Sequence, residues 1–443
     1  MKKENDLGRD GIGALVWRMA LPSMLAQFVS VLYSIVDRMY IGHIAGVGET
    51  ALAGVGVCGP VVTMVGSAAV WISWGASPLM GIRMGEGKPE EARRILRTGF
   101  CMLLAFSLAM MALVIPLREP MLRFFGASDA LLPLAQRYLR PIKYVFPLFL
   151  FNQMLSAFLR NDGNPGLATL GVLSGGVFNV FGDYFFVFTC DMGIYGAGLA
   201  TAMGCVVSLI VLLTHFKSRK NTLCLVKPDH LPRRLLEISV TGFSSFFIDV
   251  AMGILTVLFN RQIMKYLDAN ALAVYGPIIN ISTFVQCCAY SVGQASQPII
   301  STNFGAGQRD RIRETLRLAL ITSAFFGVFW TALSLAWPNL YIRIFMKSTP
   351  EILDMAPAAI RAYALSFLLL PFNIYSTYYF QAIMKPGTAF VVSVARGLVV
   401  SGALILTLPA LAGAQALWLT MPITELLVMF YAAAAIRKYT RAL

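Results

Sequence analysis

Four acidic side chains stand inside long apolar segments of the sequence, where a carboxylate is costly. Of the 22 Asp and Glu in the chain, these four are Asp37, Asp183, Asp249 and Glu425. A charged group at the centre of a membrane helix costs at least about 2.5–3.5 kcal/mol, so such a group is normally paired or functional. Burial favours the protonated form of a carboxyl group, whereas an ionised carboxylate attracts a cation. The sequence therefore predicts sites that bind a proton or a cation.

Polar side chains in the first half of the chain are predicted to meet at one depth. Asp37, Asp183 and Thr201 each lie about six or seven residues, roughly 10 Å, from the outer end of their apolar segments. Tyr33 and Asn179 precede the two aspartates by four residues and therefore share their helix faces. This spacing predicts a polar pocket in the outer part of the first half.

The chemistry that such a pocket supports is exchange. If a proton and an organic cation compete for one carboxylate, export of the cation is coupled to import of the proton, and one charge crossing 100 mV supplies about 2.3 kcal/mol. Sodium is the alternative ion, because its candidate ligands are oxygens that suit a hard cation, on Asp37, Asn179, Asp183 and Thr201. A structural reading also stays open, with Asp37 paired to Arg38 or a backbone donor and Asp183 paired to Asn179.

The other embedded groups each have a functional and a structural interpretation. Pro22 removes a backbone hydrogen bond and favours a kink, which protonation of Asp37 would alter; static packing is the alternative. Asp249 in the second half either binds a coupling ion or satisfies a neighbouring helix. Glu425 and Arg396, on the last two apolar segments, are predicted to form an ion pair between adjacent helices.

The composition is that of a membrane protein. The 443 residues are 57% hydrophobic and only 13% charged, with a mean hydropathy of +0.70, whereas soluble proteins carry about 25% charged residues. This excludes a soluble enzyme, a disordered chain and a nucleic-acid binder. Apolar segments of this length, without alternation, are helices, and about twelve can cross a bilayer. The predicted spans are 15–44, 51–81, 93–117, 133–159, 165–189, 194–217, 234–265, 271–302, 312–336, 352–383, 387–412 and 414–437.

The basic residues predict the orientation of these helices. Of the 36 Lys and Arg, 23 fall in the termini and the alternate loops that would share their side, while the opposite loops hold six. Lys and Arg are enriched in cytoplasmic loops, so both termini are expected in the cytoplasm and the protein in the inner membrane. The net charge of +14 is therefore explained without a nucleic-acid partner.

An internal repeat divides the chain into two halves. Residues 51–97 and 271–317 match without a gap at 13 of 47 positions, and the match continues with Asn152 against Asn373 and Pro165 against Pro386. Each half has six helices, an even number, so both enter the membrane in the same sense. We predict an all-α integral membrane protein of twelve transmembrane helices in two pseudo-symmetric six-helix lobes. The predicted lobes are residues 1–217 and 234–443, joined by a cytoplasmic loop at 218–233.

Four motifs, taken in order, resemble the multidrug and toxic compound extrusion (MATE) family. They are V-D-R-M-Y-I-G-H-I-A-G from residue 36, A-L-A-G-V-G from 51, G-A-S-P-L-M-G-I-R-M-G-E-G from 75 and Q-P-I-I-S-T-N-F-G-A-G from 297. The resemblance covers residues 10 to 440, and the retained aspartate of the first helix is similar to the DinF-like and MepA-like branch. It implies a V-shaped pair of lobes that exports organic cations or other toxic compounds in exchange for H⁺ or Na⁺.

The resemblance also implies roles for particular residues. The first-lobe site for cation and substrate would be lined by Asp37, Asn152, Asn179, Asp183 and Thr201, with Pro22 at the bend of the first helix. The branch that uses the second lobe has a glutamate about ten residues after a glycine in the seventh helix. Here that spacing from Gly242 reaches Met252, while Asp249 falls one turn earlier and Asn373 and Gln381 occupy the tenth helix. First-lobe coupling is therefore the expectation, with Asp249 and Asn373 as second-lobe candidates.

The expected function is a multidrug efflux antiporter that works by alternating access. A flippase for a lipid-linked or sugar-linked substrate has the same architecture, but it should carry basic groups inside the lobes. A membrane transferase would need clustered His, Asp or Cys at a membrane face, and the three scattered His argue against an enzyme; a channel also stays open. Seven Cys without paired spacing predict neither disulfides nor a metal site. No cofactor beyond the coupling ion is expected; the expected partners are membrane lipids and small-molecule drugs, with no obligate protein.

Overall fold

A computed structural model describes residues 6–125, 127–218, 221–223, 231–345 and 349–442, and every regular element in these ranges is helical. Eleven of its helices are long and apolar enough to cross a membrane, and a bent pair makes a twelfth candidate span. The predicted number and type of spanning elements are thereby confirmed. Most of the predicted loop at 218–233 lies outside the described residues.

The helices of the first half are α1 to α7. Their bounds are Ile12–Gly42, Gly48–Gly85, Pro89–Phe124, Leu132–Ile142, Phe146–Asn161, Pro165–Tyr184 and Gly193–Leu213, with a π-helical turn at Phe185–Thr189 and a 3₁₀ turn at Thr214–Lys217.

The helices of the second half are α8 to α16. Their bounds are Leu231–Tyr266, Ala269–Gly305, Arg309–Ala336, Pro338–Phe345, Pro350–Ala364, Leu370–Ala382, Pro386–Val394, Val400–Ala412 and Thr420–Ala442. Short turns at Leu365–Leu368 and Ala414–Leu419 are 3₁₀-helical, and Ala395–Val399 is π-helical.

One predicted span is not a single helix. The segment predicted at 133–159 is two helices, α4 and α5, which meet at an angle of 56°. Pro147 stands at the start of α5 and cannot donate the backbone hydrogen bond that would continue α4 into it. The prediction of one continuous helix at 133–159 was therefore wrong, although the total length predicted for this segment was right.

The Gly-x-Gly sequences at 85–87 and 305–307, which the internal repeat relates, form turns between helices. Gly87 follows α2 with a φ of +73°, and Gly307 follows α9 with a φ of +70°. Side-chain-bearing residues rarely adopt this left-handed conformation, which explains why glycine occupies both positions.

The described chain divides into two compact units. The first comprises the described residues among 1–10 and 21–242, and the second comprises those among 11–20 and 243–443. Each unit contains its own group of buried polar residues, and these two groups are described separately below.

Candidate functional site

Two buried carboxyl groups face each other in the first unit. Asp37 on α1 is 9% exposed and Asp183 on α6 is fully buried, and their side chains lie within hydrogen-bonding reach of each other. Both oxygens of Asp183, and Oδ1 of Asp37, receive no hydrogen bond from an amide or hydroxyl of the described chain. Two ionised carboxylates repel at this distance, so a proton or a cation must accompany the pair.

Arg38 is the nearest basic residue along the chain to this pair. It attracts Asp37 electrostatically, but its own side chain is exposed. The geometry therefore leaves Asp183, and not Arg38, as the hydrogen-bonding neighbour of Asp37. A purely structural pairing of Asp37 with Arg38 is disfavoured.

Glycines on α6 and α7 bring the backbones of these helices close together. A Cβ atom on Gly175 would lie 2.8 Å from the carbonyl oxygen of Gly204, and one on Gly204 would lie 2.8 Å from the carbonyl oxygen of Gly175. Small residues at such crossings allow close packing of membrane helices. This contact places Asn179 opposite Thr201, and Nδ2 of Asn179 donates to Oγ1 of Thr201 at 3.3 Å.

Tyr138 joins this group, although the sequence analysis did not single it out. Its buried side chain lies close to Thr201, Asp37 and Asp183. A Cβ atom on Gly198 would collide with the carbonyl oxygen of Tyr138, so α4 and α7 pack closely at this point. The available signal was the position of Tyr138 among the polar residues of α4. It was missed because the hydropathy pattern predicted one uniform span from 133 to 159.

Tyr33 lies close to Asp37, and Asn152 contacts Cys205, another neighbour of Tyr33. The ring of Tyr33 fills the space left by Gly176, where a Cβ atom would lie 2.9 Å from Cδ1 of the ring, and Tyr33 interacts electrostatically with Asp37 and Cys205. Nδ2 of Asn152 donates to the carbonyl oxygen of Cys205 at 2.8 Å and to its sulfur at 3.1 Å. Asn152 is thus connected to the carboxyl pair through Cys205 and Tyr33.

Pro22 lies inside α1, and the helix continues through it without a break from Ile12 to Gly42. The predicted role of Pro22 as a bend that responds to Asp37 stays a prediction. The structure brings the remaining first-half candidates together in one unit, which are Tyr33, Asp37, Asn152, Asn179, Asp183 and Thr201.

The second unit contains a buried ion pair. Nε of Arg396 donates to Oε1 of Glu425 at 2.7 Å, and Nδ2 of Asn373 donates to Oε2 of the same carboxylate at 2.6 Å. Glu425 is fully buried and Arg396 is 5% exposed. The ion pair predicted between the last two spans is confirmed, and Asn373 adds a second donor to it. Arg396 lies in the π-helical turn between α14 and α15, a distortion often found at functional sites.

Asp249 stands apart from this pair and is partly exposed on α8. A second buried network connects Nε2 of Gln381 to the hydroxyls of Ser244 and Ser245, each at 2.9 Å, and Nε2 of Gln297 to Oε1 of Gln381 at 3.2 Å. The sequence analysis noted Gln381 only as a departure from the family pattern. Neutral amides carry no charge signal, so the network was not predicted.

Comparisons with known proteins agree with this architecture. The MatE family model matches residues 22–185 and 243–405. The FAD transporter of Shewanella oneidensis is 25% identical over 97% of this chain and 95% of its own length. The multidrug export protein MepA of Staphylococcus haemolyticus is 21% identical over 86% of this chain and 84% of its own. The solved outward-facing structure of a multidrug resistance MATE family transporter has a TM-score of 0.91 at 19% identity and covers 100% of this chain and 99% of its own.

These findings define a multi-pass helical membrane protein with two pseudo-symmetric lobes and buried polar groups in each. The chain belongs to the MatE family of multidrug efflux transporters, because the family model matches well over half of its length. It is therefore a transporter of small molecules and not an enzyme.

Proposed function

We propose that this protein exports amphipathic, often cationic, organic compounds in exchange for H⁺ or Na⁺. The carboxyl pair of Asp37 and Asp183 would bind the coupling ion and the cargo in turn, by alternating access. The observation that carries the proposal is the mutual contact of two buried carboxyl groups, three of whose four oxygens lack another donor in the described chain. Such a pair stays buried at low cost only with a positive charge between its oxygens, and it releases that charge when a cationic cargo replaces it.

The surrounding groups support exchange of a proton or of sodium. A proton needs only the two carboxyl groups. Sodium needs further oxygens, and Oδ1 of Asn179 is buried without a hydrogen-bond partner beside the pair, while Oγ1 of Thr201 faces Asn179. Carboxylate, amide and hydroxyl oxygens are ligands that hard cations accept. The proposal therefore includes both ions, with the proton as the simpler one.

The proposed setting is the inner membrane, with membrane lipids around the helices and both termini in the cytoplasm. The excess of Lys and Arg in one set of loops supports this orientation. Some of those residues, Lys2, Lys3, Arg219, Lys220 and Lys227, lie outside the described residues. We further propose the two lobes 1–217 and 234–443 as the moving parts, with 218–233 as their cytoplasmic connection.

A flavin nucleotide is a second candidate cargo. The alignment with the FAD transporter covers nearly the whole of both chains. A nucleotide cargo is anionic, and the second unit offers a buried arginine, Arg396, for which the cationic-drug proposal has no use.

The test is efflux of a cationic fluorescent dye from proteoliposomes under an imposed pH or Na⁺ gradient. Asp37→Asn keeps the size of the side chain but cannot exchange a proton at neutral pH. We expect it to reduce gradient-driven efflux to the leak rate of protein-free vesicles while the protein stays folded. Asp310→Asn is the matched control, because Asp310 is fully exposed and its pairing with Arg313 contributes little.

Two results would contradict the proposal. Unimpaired efflux by Asp37→Asn would remove the carboxyl pair from the mechanism. Efflux by the native protein that ignores both gradients would remove antiport itself.

A further inference from the structure

Arg396 is a charged residue at the middle of a membrane span, and within the described chain only one of its three guanidinium nitrogens donates a hydrogen bond. It lies ten residues after Pro386, which is roughly 15 Å along the helix and about half of a 30 Å hydrocarbon core. Its Nε binds Glu425. Its terminal nitrogens, Nη1 and Nη2, donate no hydrogen bond within the described chain. Neither nitrogen is among the fully buried polar atoms that lack a partner, so both nitrogens keep accessible surface.

An ion pair that served packing alone would be expected to use the whole guanidinium group. Here the carboxylate of Glu425 is already satisfied by Nε of Arg396 and by Nδ2 of Asn373. The two terminal nitrogens form a planar fork of donors, the arrangement that carboxylates and phosphates bind with two parallel hydrogen bonds.

The surroundings of this fork are aromatic. Tyr290 and Tyr363 both lie close to Arg396, and Tyr290 also lies close to the acid Asp249. The helices that carry the acid and the arginine touch nearby, since a Cβ atom on Gly397 would lie 2.9 Å from Cβ of Ala251. Tyrosine rings next to a guanidinium fork suit a flat molecule with an acidic substituent.

We propose that the fork of Arg396 binds a carboxylate or phosphate group of the cargo, so that the second lobe accepts compounds with an acidic group. This inference rests on the proposed export function and extends its cargo class. Glu425 holds the guanidinium in place. Arg396 is thus a specificity residue, separate from the carboxyl pair of the first unit.

The experiment compares two probes that differ by one phosphate, riboflavin and riboflavin 5′-phosphate. Each is titrated against the purified full-length protein in phosphatidylcholine nanodiscs, and the dissociation constant is read from the change in flavin fluorescence. We expect the native protein to bind the phosphorylated probe about tenfold more tightly, since the added contact is a charge-assisted bidentate one. Equal affinities, or no saturable binding of the phosphorylated probe at millimolar concentration, would overturn the proposal.

Two variants separate this role from a structural one. Arg396→Lys keeps a cation for Glu425 but lacks the fork, so the preference should fall to about twofold or less while riboflavin affinity is unchanged. Asp310→Asn is the control, because Asp310 is fully exposed, so both affinities should stay constant. A preference that survives Arg396→Lys, or that falls equally in Asp310→Asn, overturns the proposal.

A lipid headgroup offers the same phosphate chemistry, so the titration is repeated in nanodiscs that contain phosphatidylglycerol. An unchanged preference supports binding of cargo, whereas its loss assigns the fork to lipid and overturns the proposal. Since these measurements need no gradient, their failure leaves the efflux test of Asp37→Asn intact. Failure of that efflux test likewise leaves the flavin titration standing.

Discussion

The two asparagines related by the internal repeat make the same contact in surroundings of different charge. Nδ2 of Asn152 donates to the carbonyl oxygen and the sulfur of Cys205, and Nδ2 of Asn373 donates to the carbonyl oxygen and the carboxylate of Glu425. The bond to the carbonyl oxygen is 2.8 Å long in both units. An offset of 221 positions relates the asparagines, and an offset of 220 relates Cys205 to Glu425. The helix-to-helix connection is therefore retained, while the chemistry that it supports has changed.

The partner of the second-unit acid has changed as well. The same offsets place Arg396 opposite Gly175 and Gly176. In the first unit these glycines allow close backbone packing and leave room for the ring of Tyr33. In the second unit the guanidinium of Arg396 neutralises Glu425 permanently. The comparison teaches that the second unit carries a fixed counter-charge, whereas the proposed mechanism assigns an exchangeable one to the two acids of the first unit.

The largest expected difference between the units is in stability. Arg396→Met leaves Glu425 unpaired in the interior, which should lower the free energy of unfolding by about 3–5 kcal/mol. Asp37→Asn should not lower it, because its amide can donate to Asp183. Unfolding in mixed detergent micelles measures both.

The double variant Arg396→Met with Glu425→Leu is the control for this prediction. Replacing both members of a buried pair by apolar residues should recover most of the lost stability. Equal destabilisation by Arg396→Met and Asp37→Asn would contradict the distinction between fixed and exchangeable counter-charges.

A smaller difference is expected between the two asparagines. Hydrogen bonds between membrane helices contribute about 0.6 kcal/mol on average and up to about 1.7 kcal/mol. Asn373→Ala removes a donor from a buried carboxylate and should fall near the upper figure, while Asn152→Ala should fall near the lower one. The same unfolding measurement compares the two variants. A larger loss of stability for Asn152→Ala would contradict this order and would show that Cys205 is the stronger hydrogen-bond acceptor.

The smallest expected effect concerns Thr201. Thr201→Val removes a hydroxyl whose hydrogen bond with Asn179 is long, at 3.3 Å, so the loss of stability should be at most about 0.6 kcal/mol. Efflux driven by a pH gradient should persist, because a proton needs only the carboxyl pair. Thr407→Val, at an exposed position of α15, is the control. Loss of pH-driven efflux in Thr201→Val alone would make this hydroxyl part of the proton site.

The candidate site was predictable where charge or spacing carried a signal. Asp37 and Asp183 stood out because an acid in an apolar helix is costly, and helical geometry placed them at one depth. Arg396 and Glu425 were predicted to pair for the same reason. Tyr138 and Gln381 escaped prediction because neutral polar residues occur in membrane helices without such a cost.

The sequence by itself determined that the spanning segments are helical, because apolar segments in lipid must satisfy their backbone groups internally. It further determined that about twelve of them cross the membrane, and it showed the internal repeat. It also determined which acids are exceptional. Only the tertiary structure decided that Asp183 faces Asp37 and that Arg396 uses one nitrogen for Glu425. Those outcomes depend on how closely helices pack at Gly175, Gly204 and Gly397 and on the π-helical turn that carries Arg396. Such distances arise from contacts between segments that are far apart in the chain. Hydropathy and residue spacing describe one helix at a time and therefore do not predict these contacts.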